Sequence, residues 1–210
     1  MSQYRSFVCL IAWLLGLAAT PAMAQSNWLF GPQKNSVDDK NVVEFPKKYR
    51  PGDIVVSFGD RRLYHVTKAG LANSYPIAVP RAQSRWSGVE RVSYKKVDPS
   101  WTPTASMRRE NPKLPAFVPG GHRLNPLGVR ALYLGNTLYR IHGTDAPWTI
   151  GQNVSKGCVR MHNAHVVELY DRVKVGARVI ATWDRFKVPE VVASNASSED
   201  TYEKIFGTTN

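Results

Sequence analysis

Apolar and polar positions alternate with a period of two through much of the middle of the chain. "DIVVSFGDRRLYHV" (53–66) sets two β-rich runs on either side of Gly59-Asp60, a pair suited to a tight hairpin. "SYPIAVPR" (74–81) and "VERVSYKKV" (89–97) continue the strand pattern, and "VRALYLGNTLYRIHG" (129–143) predicts two more strands around Gly135-Asn136. Residues 99–121 are dense in proline and glycine without a sustained apolar period, which predicts a long loop of the kind that forms lids or rims. The period then changes. Val166, Leu169, Tyr170 and Val173 fall at i, i+3, i+4 and i+7, an apolar helix stripe, with Asn163 placed as N-cap and Gly176 as the stop. "ARVIATW" (177–183) predicts the last strand. The pattern describes a mainly β fold, a sheet or barrel with one principal helix, and Cys158 on the loop that feeds the helix.

The two ends read differently from the body. Arg5, the apolar run "SFVCLIAWLLGLAAT" and small residues at Ala22 and Ala24 form the pattern of a secretory signal peptide, residues 1–24, cleaved after Ala24. An uncleaved anchor is the competing reading, but about 15 apolar residues fall short of the roughly 20 that span a bilayer, so no stable membrane anchor is expected after cleavage. Residues 25–51, polar and punctuated by Pro32, Pro46 and Pro51, read as a linker and approach segment. The body, 52–183, is one domain, and no repeat or second domain is visible. Residues 184–210 read as an acidic mobile tail, with a helical turn around Tyr202–Phe206.

Charge changes the picture only in part. The chain carries 28 basic and 16 acidic residues, a balance of +12, and removing residues 1–24 takes away only Arg5. In a cytoplasmic protein such a balance points to nucleic acid; in an exported one the polyanions within reach are cell-wall polymers and anionic headgroups. No nucleic-acid partner is expected.

Of the two cysteines, Cys9 leaves with the signal and Cys158 stays without an intramolecular partner, which excludes a disulfide scaffold and a four-cysteine zinc site. A buried inert thiol and an intermolecular disulfide remain open for Cys158. A nucleophilic thiol needs a base or a lowered pKa. The sequence offers a helix N-terminus, the flanking charges of Lys156 and Arg160, and His142 as base. The amides of Gly157 and Cys158 are candidate oxyanion donors. Cys158, His162, His165 and His142 also have the count of ligands that zinc takes, but His162 and His165 lie where a solvated first helical turn is expected, so metal and cofactor are both read as none. His65 and His122 read as structural or surface residues.

The combination decides among these readings. "RIHGTDAPWTIGQNVSKGCVRMHN" (140–163) resembles the signature of the L,D-transpeptidase catalytic domain of the YkuD type. That family has His-Gly-Thr, then Ser-x-Gly-Cys, Ile or Val, Arg, Met or Leu, any residue and Asn. Here His142-Gly143-Thr144 and Ser155 to Asn163 match at the family's spacing, "GGHRLNPLGVRALYL" (120–134) resembles its upstream segment, and "VVELYDRVKVGARVIAT" its closing helix and strand. Lys156 stands where many relatives carry histidine, and no LysM-like wall-binding repeat is seen.

The resemblance, over about residues 52–183, implies a YkuD-like β-sandwich or barrel with one principal helix after the catalytic cysteine loop. It implies a periplasmic, wall-associated enzyme that acts on peptidoglycan stem peptides. Cys158 would form a thioester with a tetrapeptide stem, releasing D-alanine, and pass the acyl group to an amine in a three-to-three cross-link. His142 would move the proton, with the Gly143 main chain orienting its ring. Arg160, Ser155 and Thr144 are placed at the substrate, Arg160 either on a stem carboxylate or in an internal ion pair, and Ser155 as a brace of the loop. Water as acceptor (an L,D-carboxypeptidase), attachment or detachment of an outer-membrane lipoprotein, and a non-catalytic wall-binding module are the alternatives.

Overall fold

The computed structural model describes residues 40–189. The expected signal peptide, the first part of the approach segment and the tail beyond residue 189 lie outside the described residues.

Among the described residues ten strands and two α-helices follow in chain order: β1 Asn41–Glu44, β2 Ile54–Ser57, β3 Arg62–Lys68, β4 Leu71–Pro80, β5 Gly88–Val97, α1 Ala105–Glu110, β6 Arg130–Leu134, β7 Arg140–His142, β8 Asn153–Ser155, β9 Val159–Met161, α2 Asn163–Arg172 and β10 Arg178–Thr182. The order across the sheet is β1-β4-β3-β2-β10-β5-β6-β7-β9, and β9 pairs back onto β4, so the sheet closes on itself. Two long strands make the closure. β4 pairs with β3 through Pro76 and with β9 through Ile77 and Ala78; Pro76 has no N–H to donate, and the ladder changes partner there. β5 pairs with β10 through Gly88–Arg91 and with β6 from Val92 onward, where the register shifts between Val92 and Tyr94. A bulge of this kind bends a strand. The expected mainly β barrel with one principal helix is the fold observed.

The apolar face follows from the alternation. Ile54, Val56, Leu63, Tyr75, Ile77, Leu132, Ile141, Val159 and Met161 fill the interior, and Val166, Leu169 and Val173 of the predicted helix stripe pack against them. The helix begins one residue earlier than expected: His162 occupies the cap and Asn163 is the first helical residue. Its C-terminal carbonyls are met by Lys95 Nζ, 2.5 Å from Tyr170 O and 2.7 Å from Val173 O, a cation at the negative end of the helix dipole. The helix ends at Arg172, and Gly176 (φ +89°) lies in the turn into β10 instead of stopping the helix directly. Among the described residues no helix is long and apolar enough to cross a membrane.

The folded unit exceeds 52–183 at both ends. β2 is buried on both faces, and its outward Val55 belongs to a second cluster with Val43, Phe45, Tyr49, Tyr64, Val66 and Ala72. Phe186 covers this cluster, 5.1 Å from the Phe45 ring and 5.6 Å from that of Tyr64, and its N–H donates to Asp60 Oδ2 at 2.9 Å. The approach segment therefore contributes β1 and two core aromatics, and the first residues of the expected tail are packed. Proline spacing and acidic composition signalled looseness, but three aromatic rings on one sheet face outweigh both.

The long loop 99–121 is also less irregular than its composition implies. It contains α1, capped by Thr104 Oγ1 accepting from Met107 N, and its neck is closed by paired main-chain bonds between Trp101 and Val118. Asn125 holds its base, donating to Pro99 O at 2.8 Å and Pro119 O at 3.0 Å.

Phe186→Ala tests the extended boundary. Removing a ring from this half-buried stack is expected to cost about 2–3 kcal/mol, read as a lowered midpoint in thermal or denaturant unfolding; an unchanged midpoint would return residues beyond 183 to a tail.

Candidate active site

β7 and β9 run parallel and adjacent, with Ile141 opposite Val159 and His142 opposite Arg160. Ile141, Val159 and Met161 point into the core. With a side-chain period of two, Arg140 and His142 on one strand and Cys158 and Arg160 on the other are left on the opposite face. All four line one cavity of about 580 Å³, together with Ser155, Lys156 and residues of the 99–121 loop. The structure thus brings the predicted histidine and cysteine to a common wall.

His142 is 3% exposed. Its Nδ1 lies 2.6 Å from the Gly143 carbonyl. A carbonyl only accepts, so Nδ1 carries the proton and Nε2 keeps its lone pair. The Gly143 main chain takes the place expected for the ring's orienter. Burial, then the Arg160 charge and, more weakly, that of Arg140, pull the His142 pKa down to about 3, against the opposing effect of the Gly143 bond. The ring is neutral at ordinary pH.

Three contacts hold the cysteine turn. Ser155 Oγ donates to Cys158 O at 2.5 Å, and Trp86 Nε1 donates to Gly157 O at 2.8 Å. Trp86 stacks on Tyr139 (4.5 Å, 4°), and a Cβ on Gly157, whose φ is +120°, would stand 2.6 Å from the Tyr139 ring. Only glycine fits, for conformation and for space. Ser155 acts here as a brace, and the Gly157 amide turns toward its hydroxyl (3.4 Å).

The charges around the sulfur differ from expectation. Cys158 Sγ lies 3.6 Å from Leu138 O and is met by the main-chain amide and guanidinium of Arg140. Burial raises the thiol pKa above its ordinary value, and Arg140, then Arg160, oppose that rise. The two other expected aids are placed elsewhere. Lys156 pairs with Glu110 of α1 at 2.6 Å, joined by Arg81 at 3.5 Å, so its charge fastens the loop across the cavity. The helix N-terminus is separated from Cys158 by β9, and a dipole acts mainly within the first turn. Arg140 was missed, although alternation from His142 places it on the same face.

Arg160 is partly buried, and Asp145 acts on it through space. Thr144, expected at the substrate, is 2% exposed: its amide and carbonyl are held by the Asn163 side chain, both at 3.0 Å, and its hydroxyl accepts from Ala146 N. Asn163 thereby fixes the loop after His142 and has no capping role. His162 and His165, expected in a solvated turn, are buried with rings 5.4 Å apart, because this face of α2 packs on the barrel and Tyr75. Among the described residues no group of three or more potential ligands converges as a metal site requires.

Residues 51–180 match the YkuD family model, described as L,D-transpeptidase catalytic domain. The probable L,D-transpeptidase ErfK/SrfK of Escherichia coli K12 is 42% identical over 141 residues, 64% of this chain and 44% of that protein. A putative L,D-transpeptidase of Fuscovulum blasticum, named for the ATP synthase subunits region, is 32% identical over 183 residues, 80% of this chain and 94% of its own length. A solved Enterococcus faecium L,D-transpeptidase mutant superposes with a TM-score of 0.49 at 17% identity, over 63% of this chain and 50% of its own. The chain spans less than half the length of the Escherichia coli relative.

Two predictions follow from the electrostatics. Alkylation of Cys158 in the free protein is expected to rise with pH through a single limb above the ordinary cysteine range, because burial disfavours the thiolate. No step is expected at the ordinary histidine pKa, since His142 gains its proton only near pH 3. Arg140→Gln should move the limb further upward, and Arg140→Lys should restore part of it; a histidine-like inflection near pH 6.5, or an unmoved limb in Arg140→Gln, would overturn the assignment.

Proposed function

The chain belongs to the YkuD family of L,D-transpeptidase catalytic domains, and on that premise we propose that it is an exported peptidoglycan L,D-transpeptidase of the periplasm, working through a thioester on Cys158. The observation that carries the proposal is the β7–β9 register, which sets His142 and Cys158 on one face of one cavity.

In the first half-reaction Cys158 Sγ attacks the carbonyl carbon joining the diamino acid at position three of a stem peptide to D-alanine at position four. The thiol proton passes to His142 Nε2. The oxyanion is taken by the Cys158 amide and by the Arg140 guanidinium, whose buried Nε has no hydrogen-bond partner among the described residues. Collapse breaks the carbon–nitrogen bond, the imidazolium returns its proton to the departing amine, and D-alanine leaves with the stem held as a thioester. In the second half-reaction the side-chain amine of a neighbouring stem attacks the thioester. His142 takes the amine's proton and delivers it to the leaving sulfur, so one amide replaces another.

A ring with so low a pKa is a strong acid toward the leaving amine and a weak base toward the thiol. A stem carboxylate seated on Arg160 offsets the largest of the charges that hold His142 down, so donor binding itself strengthens the base. The guanidinium fork suits a carboxylate.

Intact-mass labelling with a carbapenem tests the nucleophile: the wild type is expected to gain one drug mass, and Cys158→Ala, with folding shown by circular dichroism, none. Equal labelling of both would sink the proposal. Incubation with purified tetrapeptide muropeptides tests the acceptor. A cross-linked dimer is expected; a shortened stem alone would make water the acceptor, and a lipoprotein-linked product would appear only when that acceptor is added.

A further inference from the structure

A second cavity, of about 470 Å³, lies at the other end of the barrel and shares no wall residue with the first. β4 connects the two ends: Asn73 pairs with His65 at one, and Pro80 with Ser155 at the other. Arg50, Arg91, Arg172, Lys174 and Arg178 line this cavity, with Asp53 as the carboxylate among its walls. Asp53 is committed to the protein, holding Arg178 at 2.6 and 3.1 Å and the Arg50 amide at 2.9 Å. Arg172 pairs with Glu168 on its own helix, and Arg91 donates to the Gly176 carbonyl and forms no ion pair with the described residues. Arg50 and Lys174 are exposed and form no ion pair with the described residues. His65, 6% exposed, stands in the wall, and its buried Nδ1 finds no hydrogen-bond partner among the described residues. Buried ring nitrogens without a partner are uncommon and need an explanation.

We propose that this cavity is an anion site that holds a free carboxylate of a peptidoglycan stem peptide other than the one reacting at Cys158. The identity of the ligand rests on the function proposed above; the excess of cations rests on the cavity alone. A concave pocket walled by guanidinium groups fits a discrete carboxylate, which arginine binds through two parallel hydrogen bonds. A bilayer surface would call for exposed aromatic side chains around the patch, and the exposed aromatics Tyr94, Phe117 and Trp148 are not among its walls. Because the polymer repeats its stems, a second hold raises the local concentration of donor and acceptor stems at the thiol.

The test uses the full chain with Cys158 blocked by a carbapenem, so that the catalytic cavity is filled. It is titrated calorimetrically with free tetrapeptide stem, with inorganic phosphate and with phosphatidylglycerol vesicles. The stem is expected to bind the blocked protein, and the double variant Arg50→Gln, Lys174→Gln to bind it about tenfold more weakly while being acylated by the carbapenem at the wild-type rate. Stem binding that is absent from the blocked protein, or equal in the double variant, overturns the site. Binding of phosphate or vesicles without stem overturns the assignment to a stem. Should the carbapenem fail to acylate the wild type, the catalytic reading fails separately, and the same titration on Cys158→Ala still decides the second cavity.

Discussion

The parallel pairing of β7 with β9 is the constraint on which the site depends. It joins two three-residue strands that are distant in sequence, and its register places His142 level with Arg160, two residues along from Cys158. A slip of one residue would turn both side chains into the core and bring Ile141 and Val159 to the cavity, because the faces of a strand alternate. The register is protected by its apolar members: Ile141, Val159 and Met161 have no exposure. The same burial that stabilises the barrel therefore aims the chemistry.

Glycine and asparagine complete the fixing of both turns. Gly143 and Gly128 lie so close to the Asn163 side chain that a Cβ on either would stand within 2.3 Å of its oxygen. Asn163 in turn grips both main-chain polar groups of Thr144. On the other strand Gly157 rests on Tyr139 and gives its carbonyl to Trp86. The histidine loop and the cysteine turn are each held by side chains outside the proposed reacting pair, as a preorganised site requires.

Much of this was legible in the sequence, and the failures share a cause. The long strands, the hairpin at Gly59-Asp60 and the helix stripe carry a period, and periodicity is local. β1, β8 and β9 have three or four residues, too few to show one. The role of Lys156 depends on the 99–121 loop folding over the cavity to present Glu110, a contact between segments far apart in sequence. Asn163 satisfies the N-cap rule by composition, yet its side chain is taken by Thr144. Arg140 was within reach, since a period of two from His142 selects it. Phe186 stands between Arg185 and Lys187 with no apolar period around it, and its partners Phe45, Tyr49 and Tyr64 come from two other segments.

The resting site holds a neutral thiol beside a neutral imidazole, and this suits the exported location proposed. A thiolate is the form that oxidants and stray disulfides attack, so a cysteine kept protonated by burial is protected until a substrate arrives. The cost is a weak nucleophile at rest. The arginines resolve the conflict: Arg140 contacts the sulfur and Arg160 faces the same cavity, so negative charge that develops during attack meets fixed cations at once. Lys156 is engaged by Glu110. Burial disfavours the ion before reaction, and the guanidinium groups favour it during reaction. In the proposed reaction the two effects act at different moments of one cycle, so a raised thiol pKa at rest is compatible with acyl transfer.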